Sequence, residues 1–63
     1  MISAEMWSRC GVYHAKIGEQ FYRWSHRLKK WYRTSWLCGD TYERALFHGK
    51  ILRVKIKLSH IDL

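Results

Sequence analysis

Proline is absent from this chain, and cysteine, glycine and carboxylates are scarce: two Cys, four Gly and five Asp or Glu among 63 residues. Each scarcity removes a class of protein. No uncharged apolar run approaches the roughly 18 residues a membrane helix needs, so no helical span is expected. The first fifteen residues carry Glu5, Arg9 and His14 with no unbroken apolar stretch, so no secretory signal is expected. Two cysteines without an export signal read as reduced thiols rather than a disulfide scaffold. The glycines are isolated, which leaves no loop to cradle a phosphate. The carboxylates are scattered, so no acid–base pair presents itself and catalysis is not expected.

Against these absences stand twelve Lys and Arg, a net charge of +7, and ten aromatic residues: four Trp, four Tyr and two Phe. A disordered basic tail would be poor in aromatics. At this length the chain supports one small domain, 1–63, with a thin stability margin. The composition predicts an ordered, basic, cytoplasmic mini-domain.

Local patterning predicts an α+β fold that is mainly helical. Ser3 is a candidate N-cap for a short helix over 4–10, closed by Gly11. From 12 to 38, Ile17, Phe21, Trp24, Leu28, Trp31, Ser35 and Cys38 recur at a 4-3 spacing, which predicts a long amphipathic helix. Its opposite face would carry Lys16, Glu19, Arg23, His26, Arg27, Lys30 and Arg33, with Gly18 as the weak point. Asp40 or Thr41 can cap a third helix over 42–48, closed by Gly49. After Gly49 the period changes to 2: Leu52, Val54, Ile56 and Leu58 alternate with Arg53, Lys55 and Lys57, which predicts a strand. No second convincing strand is visible, so this one is expected to pair with another chain, as in a homodimer or on a larger assembly. The predicted core is Met6, Ile17, Phe21, Trp24, Leu28, Trp31, Leu46, Phe47, Val54, Ile56 and Leu58.

Function points to an acidic partner. Residues 21–33 hold five cations and five aromatics, and 12–38 carries six Lys or Arg against one Glu. Cations neutralise phosphates and release counterions, while aromatic and guanidinium planes stack on bases. The expected function is therefore non-catalytic binding of RNA or DNA through Lys16, Arg23, Arg27, Lys29, Lys30, Arg33, Arg53, Lys55 and Lys57. The alternative is a modulator that docks on an acidic protein surface, because Trp, Tyr and Arg dominate interface hot spots. Tyr22 and Trp36 lie beside the helical seam and are the aromatics expected to meet a partner. The second helix of a helix-turn-helix should carry the base-reading residues, and 42–48 is poor in them, so backbone or shape recognition fits better.

Three further readings are weaker. Cys10, His14, Cys38 and His48 would make a two-Cys, two-His set, but no CxxC or HxxxH spacing occurs, so neither metal nor cofactor is expected. His26, His48 and His60 would be the residues of a small basic ribonuclease. The amphipathic helix could lie on a membrane, but the C-terminal third reads as folded globular sequence.

Overall fold

The structure is a computed structural model; it describes residues 1–34 and 38–62, with 38–40 described by their backbone alone. Strands β1 (Ile2–Arg9), β2 (Val12–Ile17), β3 (Gln20–Ser25) and β4 (Lys30–Thr34) form a meander. Helix α1 (Cys38–Phe47), strand β5 (Leu52–Ile56) and a 3₁₀ turn (Leu58–His60) follow. All pairings are antiparallel, in the order β4-β3-β2-β1-β5. Five antiparallel strands dominate the described residues and the one α-helix has ten residues, so the expectation of a mainly helical fold is overturned.

The physical reasons are local and legible afterwards. A helix over 12–38 would have placed Arg23 beside Arg27 and Lys29 beside Arg33 at i,i+4, which repel, and Gly18 in its interior. The same residues in the β3–β4 hairpin set Arg23 opposite Tyr32, Arg33 opposite Tyr22 and Lys30 opposite Ser25. No cation faces a cation there, and Trp24 lies opposite Trp31 with ring centroids 5.2 Å apart. Aromatic and β-branched residues also suit a pleated, half-buried surface better than a helix.

Two-residue turns complete the case. Cys10 (φ 51) and Gly11 (φ 77) are both left-handed, the pattern of a type I′ hairpin turn, so Gly11 reverses a strand rather than ending a helix. Ser3 is correspondingly a strand residue, opposite Lys55. Gly18 (φ 60) opens the turn between β2 and β3, a conformation glycine adopts without steric cost.

The third predicted helix overlaps α1, which begins at Cys38, four residues before the predicted start, and ends at Phe47, one residue before the predicted end. It ends in a Schellman motif: the Lys50 amide donates to the Ala45 carbonyl (2.8 Å) and the Gly49 amide to Leu46 (3.2 Å). The alternating segment is a strand, but its partner is β1 of the same chain, with Val54 opposite Ala4. The expectation of intermolecular pairing rested on having no second strand, and four precede it.

The sheet has two covered faces. On one, Ala4, Ala15, Tyr22, Trp31 and Ile56 are buried, with Met6, Ile17, Trp24 and Val54 packed against them. The tail after β5 crosses this face. Ile61 is buried, bridges in parallel to Trp31, and the Asp62 amide donates to the Trp31 carbonyl at 2.9 Å. A segment leaving one sheet edge thus reaches the strand at the other, so the sheet is rolled rather than flat. On the second face α1 covers Trp7, buried together with Ala45 among Phe21, Tyr42 and Ile51. Four predicted core residues are exposed instead: Leu28 in the β3–β4 turn, Leu46 and Phe47 on α1, and Leu58 in the tail. Leu28 was nominated by the spacing of a helix that does not form, Leu46 and Phe47 lie on α1 where Tyr42 and Ala45 face the sheet instead, and Leu58 lies beyond the end of β5.

Candidate nucleic-acid interface

The β3–β4 hairpin concentrates the charge. Between Gln20 and Thr34 the chain has no carboxylate, and Arg23, Arg27, Lys29, Lys30 and Arg33 are all exposed. The turn is held by the Lys29 amide donating to the Ser25 carbonyl (2.7 Å) and the Leu28 amide donating to Ser25 Oγ (3.2 Å). Lys29 takes φ 54. With both ends of the turn anchored on Ser25, Arg27 and Lys29 project from a fixed tip.

Strand alternation divides these cations, because residues opposite one another in register share a face. Arg33 pairs with Tyr22, which pairs with Ala15, and so belongs to the tail-covered face. Arg23 pairs with His14, and His14 with Trp7, so Arg23 lies on the α1 face. Lys30, two residues from Tyr32, joins it there. The single basic stripe expected of a helix does not form; the cations surround the hairpin instead.

A groove of about 500 Å³ opens on the tail-covered face. Trp24 and Trp31 of the hairpin, Tyr13 of β2 and Met6 of β1 form its walls, and Lys57 and His60 line it from the β5 side. His60 meets Trp24 edge-to-face (6.1 Å), and Tyr13 meets His26 of the hairpin turn likewise (6.0 Å). Tyr13 is 42% exposed and Trp24 half-buried, so these ring surfaces reach the groove, whereas Trp31 is buried beneath it. None of the described residues lining the groove is acidic.

The remaining predicted residues fall elsewhere. Lys16 is half-buried with its Nζ 4.7 Å above the Tyr42 ring, a packing role beneath α1. Arg53 and Lys55 are exposed on β5, opposite Glu5 and Ser3, and Lys55 Nζ donates to Ser3 Oγ at 2.7 Å. Lys57 follows the strand end. Tyr22 is 9% exposed, a core residue that cannot meet a partner, because the even spacing of β3 turns it inward with Trp24. Trp36 lies outside the described residues. Tyr13, Trp24 and His60 were missed as groove residues; the signal that could have found them was period-2 alternation flanking Gly11 and Gly18.

The histidines and cysteines are dispersed. His14 stacks on Trp7 (5.7 Å, 28° between planes). Its burial, and then the charges of Arg23 and Arg9, hold its pKa below the ordinary 6.5. Cys10 is a free, exposed thiol in the first turn, so it does not share a helical face with His14. Among the described residues no three His, Cys, Asp or Glu gather as metal ligands, and the Cys38 side chain lies outside them. No described helix is long and apolar enough to cross a membrane. Comparison with known protein families, curated proteins and solved structures finds no match.

Proposed function

We propose that this protein is a non-catalytic, cytoplasmic nucleic-acid-binding module whose phosphate contacts come chiefly from the β3–β4 hairpin. The observation that carries this reading is a single hairpin with five exposed cations, no carboxylate, and a Trp pair walling the adjacent groove. A solvated surface chosen for solubility alone mixes charges of both signs. Arg27, Lys29 and Lys30 supply the densest charge, Arg23 and Arg33 flank it, and Lys57 extends it to the groove. Lys16 leaves the set because it packs on Tyr42. The exposed free thiol of Cys10 suits a reducing compartment.

Titration with RNA and DNA at two salt concentrations, followed by intrinsic Trp fluorescence, tests the reading. Binding should weaken steeply with salt, and the triple variant Arg27→Ala, Lys29→Ala, Lys30→Ala should reduce the log–log salt slope by about 2 to 3. Absence of binding at low salt overturns it. The alternative, docking on an acidic protein surface, has its own observation: Phe47 is 86% and Leu46 51% exposed on α1, beside Arg44 and His48. Loss of a protein partner on Phe47→Ser, with nucleic-acid affinity unchanged, would favour that alternative.

A further inference from the structure

We propose that the groove beside the hairpin holds unpaired bases, so that the ligand is a single strand of RNA or DNA rather than a duplex. This inference rests on the nucleic-acid reading and narrows it to a ligand class. In a duplex the base faces are stacked on one another, and a protein reaches only phosphates, sugars and base edges. A surface made of cations alone would serve either form. Here the cations border a groove with aromatic walls, and only unpaired bases can offer a ring face to it.

Three features of the groove match that occupant. Tyr13 and Trp24 are neighbours on adjacent strands, aligned by the β2–β3 register, and both line the groove with part of their rings uncovered. Strand backbone and buried neighbours hold these rings, so little side-chain freedom is lost on stacking. The volume, about 500 Å³, is that of a small-ligand site rather than of a packing defect.

Charge placement supplies the second half of the match. Lys55, opposite Ser3 and bonded to it, belongs to the α1 face, whereas Lys57 lines the groove beyond the end of β5. On the other side Tyr13 meets His26, which sits in the hairpin turn beside Arg27. A strand whose bases enter the groove would therefore have cations near its phosphates on both sides. An apolar protein segment would gain nothing from this border, and the lack of a carboxylate among the described lining residues favours an anion. Tyr13 and Trp24 are thus assigned as base-stacking residues, and Lys57 as a phosphate contact.

The test uses the full chain with a fluorescein-labelled oligouridylate, an oligothymidylate and a duplex of matched length, at low and moderate salt. The wild type should bind the single strands more tightly than the duplex, with quenching of Trp fluorescence. Tyr13→Ala should lose roughly five- to a hundred-fold in single-strand affinity and leave duplex affinity within about twofold, whereas Tyr13→Phe should keep most of it. Circular dichroism on each variant separates lost stacking from lost folding, and Tyr13 is exposed enough for the fold to survive its truncation. Unchanged single-strand binding by Tyr13→Ala, with binding still lost in the hairpin triple variant, overturns the groove assignment and leaves the nucleic-acid reading intact. Duplex bound more tightly than single strand also overturns it. No binding to any of the three overturns both readings at once.

Discussion

The two faces of the sheet use the same kind of side chain for opposite ends. On the α1 face, Trp7 is 2% exposed, ringed by Phe21, Tyr42 and His14, and its indole N–H donates to Thr41 Oγ1 at 3.3 Å. On the tail face, Trp24 and Tyr13 keep part of their rings uncovered and border a groove. What separates them is the cover. A helix of ten residues lies over Trp7, whereas on the other face Ile61 bridges to Trp31 and Tyr13 stays exposed. An aromatic residue on a sheet is thus core or contact surface according to what the following chain lays over it.

The comparison can be broken first at its most buried point. Trp7→Ala should cost about 3–5 kcal/mol, enough to unfold much of a domain this small, because it removes the largest side chain beneath α1. Trp24→Ala should cost clearly less, since part of that ring already faces water. Chemical denaturation of both variants measures the gap; equal losses would mean that the groove face is as tightly packed as the helix face.

A smaller effect is expected at the hydrogen bond that ties α1 to β1. The Tyr42 hydroxyl donates to the Glu5 carboxylate, 3.1 Å from each oxygen. Burial, and then Glu5 as acceptor and as a negative charge, push the Tyr42 phenol above its ordinary pKa of 10.0. Tyr42→Phe should destabilise by about 1 kcal/mol, below the usual range for a bond to a charged group because the pair is only partly buried. An unchanged denaturation midpoint would show that ring packing alone holds the helix.

The smallest expected effect is a pH dependence confined to the α1 face. The folded pKa of His14 lies below its unfolded value of 6.5, so the unfolded chain takes up this proton first as pH falls. The contribution is fully present above about pH 6.5 and is lost as pH drops through the folded pKa. His14→Gln should flatten stability against pH in that window. A slope that survives the substitution must come from another group.

Legibility in the sequence varied with the range of the interaction. The turn glycines, the alternating segment after Gly49 and the acid-free stretch holding Arg23, Arg27, Lys29, Lys30 and Arg33 are local features, and they lie in the linear pattern. The division of that stretch into strands was harder to read. Its apolar residues also fit a 4-3 helical spacing, and choosing between the periods required weighing cation repulsion and aromatic β-propensity against that seam. Tyr22 was misread for the same reason: beside a helical seam it would be exposed, and one residue along a strand from Phe21 it turns into the core.

Composition and short-range pattern by themselves determined a small, basic, aromatic-rich chain with an acid-free cationic stretch over 21–33 and glycines in its first two reversals. Tertiary structure alone decided that β5 pairs with β1, that Ile61 returns to Trp31, and that Met6, Trp24 and Lys57 line one groove. Those contacts join residues far apart in the chain, and their energy comes from burying faces that no local period can assign to one another.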